Sequence, residues 1–282
     1  MLRTFDHHDF PPARLLVAKR GRRVSVCLPA RNEAATVGAT VETIHRELIV
    51  AHPVVDEVLV IDDGSIDDTA AIAAAAGATV VAAASVLPDY GTDHGKGQAM
   101  WRAVHAASGD IVVFCDADIR SFDAGFVLGL LGPLLTRDDV TFVKGCYDRP
   151  LDGRPGEGGR VTELMARPLI SVFFPHLAGL SQPLAGECAA RRDVLAAVPF
   201  AAGYGVDLGL LIDVTARFGT GGLVQCDLGV RVHRNRPLAE LSGQALAILQ
   251  LALARAGVDA GDVGPLVEQP PLASVPAHRK TA

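Results

Sequence analysis

The sequence predicts an α/β fold: a doubly wound, mostly parallel central sheet with helices on both faces. Three observations carry this. Short apolar runs alternate with helix-like stretches from Arg23 to Cys115, the order that lays parallel strands side by side. The run Ile111–Cys115 is apolar throughout, as in a strand buried on both faces of a sheet. Polar turns follow the runs, at the sheet edge where open α/β folds bind ligands.

Arg23–Pro29 is the first strand, and Asn32-Glu33 leads into an amphipathic helix over Ala34–Ile49. Val54–Ile61 is the second strand, interrupted by Asp56-Glu57 near its start. Asp62-Asp63-Gly64-Ser65 turns the chain, and Ser65–Asp68 caps a helix running to Ala76. Ala78–Ala82 is the third strand, Lys96–Ala107 a helix after a glycine-bearing loop, and Ile111–Cys115 the fourth strand. Phe122–Leu135 is helical and Val140–Tyr147 extended, and Arg149–Gly159 is a loop of Gly, Pro and charge. Val161–Phe174 is a helix bent or restarted at Pro168. Gly186–Arg191 is a short strand, Gly209–Arg217 a helix, Leu223–Arg231 a strand and Leu238–Ala256 a last helix. Residues 1–22 read as an N-terminal extension and 258–282 as a flexible tail.

A chain of 282 residues with 49% hydrophobic content can build one large α/β core. A net charge of −6 argues against nucleic acid as a partner. Cys27, Cys115, Cys146, Cys188 and Cys226 are scattered, odd in number and without Cys-x-x-Cys spacing. They read as reduced core residues of a cytoplasmic protein. The N-terminus has no signal-peptide core, Gly77 and Thr79 break the apolar stretch from Ala70 to Leu87, and Phe126–Leu135 is too short to span. No membrane is expected as a partner.

The chemistry centres on Asp116 and Asp118, which directly follow the fourth strand. At i and i+2 on an extended chain they point to one side. Two carboxylates there suit a hard cation, Mg²⁺ or Mn²⁺, able to neutralise a diphosphate leaving group. A solvated acidic turn is the plainer alternative. Three more features fall at the same sheet edge: Pro29–Glu33, Asp62–Ser65 and Gly95-Lys96-Gly97. Each alone has a structural explanation, whereas their convergence points to a phosphate-bearing ligand. Arg231, His233 and Asn235 alternate, so an extended segment would present them together.

Leu28–Glu33, Asp63–Thr69, Gly95–Gly97 and Asp116–Asp118 together resemble the nucleotide-sugar glycosyltransferases of the GT-A fold. Gly159–Leu164, Pro183–Glu187, Gly203–Asp207 and Arg231–Pro237 resemble, more specifically, the actinobacterial glucosyl-3-phosphoglycerate synthases. The resemblance covers Arg23 to Gly257. It implies a nucleotide-sugar-binding region over 23–120 and an acceptor-binding and catalytic region over 121–257 of one GT-A domain. The implied reaction is retaining transfer of glucose from UDP-glucose to the 2-hydroxyl of 3-phospho-D-glycerate, by a cytoplasmic homodimer.

The resemblance also implies roles. Pro29, Ala30, Arg31, Glu33, Asp63 and Ser65 would bind the nucleotide sugar, with Lys96, Asp116, Ala117, Tyr204 and Arg231. Gly159, Arg160, Thr162 and Asn235 would hold the acceptor. Asp118 and His233, with Asp116 beside them, would hold Mg²⁺ or Mn²⁺. Asp207, Glu187 and Lys96 are the catalytic candidates. In a same-face mechanism the leaving phosphate takes the acceptor proton, so Glu187 and Asp207 would orient sugar hydroxyls. An inverting reaction would need one of them as base.

Two features depart from the family pattern. Asp207 stands where Glu is expected, and the Asp152–Gly158 loop is short. They keep open a mannosyl-3-phosphoglycerate synthase using GDP-mannose. A nucleotidyltransferase is argued against by the missing glycine- and arginine-rich signature after the first strand. A noncatalytic sugar-nucleotide-binding protein would not need Asp116, Asp118 and His233 together.

Overall fold

In the computed structural model, residues 2–150, 158–231, 238–259 and 266–279 are described. The chain runs β1 (Arg3–Asp6), α1 (Pro12–Lys19), β2 (Val24–Ala30) and α2 (Val37–Ile44, continued by a π-helical turn over His45–Ala51). Then come β3 (Glu57–Asp62), α3 (Thr69–Ala75), β4 (Thr79–Ala82), α4 (Lys96–Ala106), β5 (Ile111–Phe114), α5 (Ala124–Thr136) and β6 (Phe142–Asp148). A π-helical turn over Thr162–Ala166 leads into α6 (Arg167–Phe173). The chain continues as β7 (Cys188–Arg191), α7 (Arg192–Ala196), β8 (Phe200–Ala201) and α8 (Val206–Phe218). It closes with β9 (Leu223–Val230), α9 (Ser242–Arg255), β10 (Glu268–Gln269) and α10 (Pro276–Arg279).

Eight strands form the main sheet in the order β1-β9-β6-β7-β5-β2-β3-β4. All run parallel except β7, which is antiparallel to both β6 and β5. The apolar runs become its centre: β5 and most of β2 and β3 are buried on both faces. One core layer packs α4, α8 and α9 onto the sheet, and α1, α2 and α5 cover the other face.

This topology gathers the site. The carboxyl ends of β2, β3 and β5 share one edge, which brings Ala30, Asp62 and Phe114 to it. Because β7 runs the other way, its first residue, Cys188, pairs with the last of β5, Phe114. Glu187, entering β7, therefore lies where Asp116 leaves β5.

Several elements differ from the sequence reading, which assigned no helix at α1 or α7 and no strand at β8. Residues 3–6 are not an extension: Arg3–Asp6 pair in parallel with Val224–Asp227 and close the sheet edge. A four-residue strand of alternating exposure carries too little apolar pattern to be recognised. Residues 266–279 are not a loose tail. Glu268–Gln269 pair with β8, Leu272 and Val275 are buried, and the Trp101 indole N–H donates to the Pro270 carbonyl at 2.8 Å. The anchor lies 169 residues away, beyond the reach of any local periodicity. Finally, β3 starts at Glu57, because Asp56 leaves the strand to accept the Val24 N–H at 2.7 Å and to pair with Lys19. The five cysteines are free and buried, as expected. Among the described residues no helix is long and apolar enough to cross a membrane.

Candidate active site

The two acids after β5 converge on one cation. A single Arg231 nitrogen, Nη2, donates to Asp116 Oδ2 at 2.8 Å and to Asp118 Oδ1 at 2.9 Å. Arg231 leaves the end of β9 and is 3% exposed. Its Nη1 donates to the Tyr147 hydroxyl at 2.9 Å, and that hydroxyl donates to Glu187 Oε2 at 2.7 Å. Arg231 Nε lies 3.5 Å from Glu187 Oε1. Lys96, the first residue of α4, bridges Asp116 Oδ1 and Asp207 Oδ2, both at 3.0 Å.

Four carboxylates thus face three cations, counting Lys144 beside Asp207. Burial opposes a charge on Lys96, yet Asp116 and Asp207 outweigh it and hold the ammonium pKa well above its usual value. Burial likewise works against the Asp116 carboxylate, but Lys96 and Arg231 hold its pKa well below the ordinary range. For Glu187 burial prevails over Arg231 and pushes the pKa up.

Two cavities meet here. The first, of about 360 Å³, is lined by Pro29, Ala30, Arg31, Glu33, Asp63 and Ala117, together with Lys96, Asp116, Asp118 and Tyr204. The second, of about 170 Å³, is lined by Gly159, Arg160, Thr162, Asp207 and Arg231, and again by Lys96, Asp116, Asp118 and Tyr204. Nearly all the expected nucleotide-sugar residues fall in the first cavity, and the expected acceptor residues that are described, Gly159, Arg160 and Thr162, fall in the second. Their common wall is the Lys96–Asp116–Asp118 cluster.

Two expectations change. Ser65 does not line the first cavity; its hydroxyl accepts the Asn32 N–H at 3.0 Å and clasps the loops after β2 and β3 together. Glu187 lines neither cavity. It is 0% exposed, accepts from the Tyr147 hydroxyl at 2.7 Å and lies 3.5 Å from Arg231 Nε. Asp207, 4% exposed in the first turn of α8, makes no helix-capping bond; its carboxylate is engaged by Lys96. His233 and Asn235 lie outside the described residues.

The sequence reading missed Tyr147 and Lys144. A tyrosine in an apolar strand carries no distinctive signal. Lys144 did carry one, as a lone charge inside the buried run Phe142–Cys146. Asp63 proves to shape a loop. Its Oδ2 accepts the Gly95 N–H at 2.8 Å and so fixes the turn that delivers Lys96.

A divalent cation fits this donor set. Asp116 and Asp118 already share one cationic partner, Arg231 Nη2, at hydrogen-bond distance. Both are oxygen ligands suited to Mg²⁺ or Mn²⁺.

Gly186 is required by the same crowding, since a Cβ there would overlap both carboxylate oxygens of Asp116. Gly186→Ala is expected to displace Asp116 and to slow turnover by on the order of 100-fold. Steady-state kinetics beside a thermal melt would check this, and a normal rate would show that Asp116 can move without cost.

A model of glycosyl transferase family 2 matches residues 25–160. A glucosyl-3-phosphoglycerate synthase of Mycolicibacterium smegmatis is 49% identical over 265 residues, covering 93% of this chain and 86% of that protein. The crystal structure of glucosyl-3-phosphoglycerate synthase from Mycobacterium tuberculosis with Mn²⁺, UDP-glucose and phosphoglyceric acid is 43% identical. It superposes with a TM-score of 0.89 over 96% of this chain and 98% of that one. Mannosyl-3-phosphoglycerate synthase from Rubrobacter xylanophilus is 39% identical, with a TM-score of 0.90 over 97% of each chain.

Proposed function

The chain belongs to the glucosyl-3-phosphoglycerate synthase family, and on that premise we propose that it moves glucose from UDP-glucose to the 2-hydroxyl of 3-phospho-D-glycerate with retention of configuration. Mg²⁺ or Mn²⁺ is its cofactor, as in relatives whose structures hold either ion with UDP. One observation carries the reading: the donor and acceptor cavities share the Lys96–Asp116–Asp118 wall, where a sugar would pass from diphosphate to hydroxyl.

The chain's residues divide the work by charge. Pro29, Ala30, Arg31 and Glu33 hold the nucleoside end of the donor, which brings the diphosphate to Lys96. The bond between the sugar's anomeric carbon and the diphosphate oxygen breaks, and negative charge builds on the leaving group. Lys96 stabilises that charge. Asp116 and Asp118 would hold the cation, which would neutralise further charge on the diphosphate. Gly159, Arg160 and Thr162 open a helical segment, a backbone N–H and guanidinium cradle suited to the acceptor phosphate. The acceptor hydroxyl attacks from the face the diphosphate leaves, and its proton passes to the leaving phosphate oxygen. No carboxylate base is needed on that path. Asp207, at the cavity wall, orients the donor sugar hydroxyls.

A panel of donors and acceptors, read as sugar-phosphate product, tests the reading. UDP-glucose with 3-phosphoglycerate is expected to be the best pair; a preference for GDP-mannose would assign the mannosyl activity instead. Arg160→Ala is expected to weaken acceptor binding by about 2–3 kcal/mol, roughly 30- to 150-fold, and UDP-glucose binding far less. Equal use of unphosphorylated glycerate by the wild type would remove the phosphate cradle. The reading places the enzyme in the cytoplasm as a homodimer. Five free, buried cysteines support a reducing compartment, and light scattering checks the dimer.

A further inference from the structure

Lys144 sits midway along β6 and is 1% exposed. A buried ammonium is costly unless paired. Its acidic partner is Asp207, whose Oδ1 lies 3.7 Å from Lys144 Nζ. That oxygen is buried and has no hydrogen-bond partner, whereas Oδ2 accepts from Lys96 at 3.0 Å. The Asp207 carboxylate is therefore hydrogen-bonded at one oxygen by Lys96 and ion-paired at the other, at longer range, by Lys144 from a different element.

The two lysines differ in access. Lys96 lines both cavities and is also paired with Asp116. Lys144 lines neither. A diphosphate entering the donor cavity competes for Lys96 and loosens its hold on Asp207. Lys144 is out of the ligand's reach and its hold is unchanged.

We propose that Lys144 is a positioning residue, which keeps the Asp207 carboxylate in place while Lys96 is engaged by the donor diphosphate. The inference rests on the glucosyl-transfer reading above. Neither the strand nor the family motifs assign Lys144 this role, which follows from the unequal exposure of two cations on one carboxylate.

A double-mutant cycle tests it, with Lys144→Met, Asp207→Asn and the pair measured in the full chain. Lys144→Met is expected to lower kcat about tenfold, with the acceptor KM and calorimetric UDP affinity within about twofold of wild type. In an Asp207→Asn background the same change is expected to cost little more, because its target is gone. The pair removes both charges together and is expected to fold. Lys144→Arg, which keeps a cation, is expected to recover part of kcat. Should Lys144→Met fail to fold, Lys144→Gln carries the comparison, with the same expected pattern. Wild-type kcat in the single variant overturns the proposal. So do losses that multiply in the pair, or a loss that only follows the melting temperature. A wild type that transfers no glucose overturns the functional reading itself, and the wild-type rate alone tells the two failures apart.

Discussion

Asp118→Ala is expected to remove nearly all glucosyl transfer and leave the chain folded. Asp118 is the most open member of the cluster, with 36% of its side chain exposed, and it meets Arg231 through one oxygen at 2.9 Å. Truncating it leaves Arg231 its bonds to Asp116 and Tyr147 and its approach to Glu187, so folding loses little. On the proposed reading, chemistry loses one of the two carboxylates that would hold the cation. The diphosphate then departs with its charge poorly neutralised, and turnover is expected to fall by on the order of 100- to 1,000-fold. Excess chelator should do the same to the wild type, and added Mn²⁺ or Mg²⁺ should restore it. UDP release measured with and without chelator is the direct check. Full activity in chelator would leave Asp116 and Asp118 with only a structural role.

Arg231→Met is expected to cost both stability and activity. Burial disfavours the guanidinium charge, yet Glu187, Tyr147, Asp116 and Asp118 together hold its pKa well above the usual arginine value. Removing the cation leaves Glu187 buried with Tyr147 alone and strips Asp116 of one of its two cations. Breaking a buried pair from one side costs about 3–5 kcal/mol, to be read as a shift in the denaturation midpoint. Arg231→Lys should not rescue it, since a single ammonium cannot spread over four partners as the planar guanidinium does. Unchanged unfolding in Arg231→Met would mean that the network relaxes around the loss.

Much of this was legible in the chain. The strands over residues 24–30, 57–62 and 111–114 announced themselves as apolar runs, and their turns carried the polar residues that line the first cavity. Gly159, Arg160 and Thr162 stood together in one motif, and the structure brings them together on the wall of the second cavity. Glu187 was legible as a site residue, but its depth was not. Its motif gives no sign that it would be fully buried, bonded to Tyr147 and beside Arg231.

Local pattern thus determined the strand and helix order and the side on which Asp116 and Asp118 point, because both follow from backbone geometry over a few residues. Tertiary structure decided the rest. It set the reversed direction of β7, the docking of residues 3–6 and 266–279, and the bridge from Arg231 to Asp116 across 115 residues. It also placed Lys144 and Lys96 on opposite oxygens of Asp207. These depend on which buried charges meet after distant strands align, and desolvated ions settle only where a counter-charge has been brought to them.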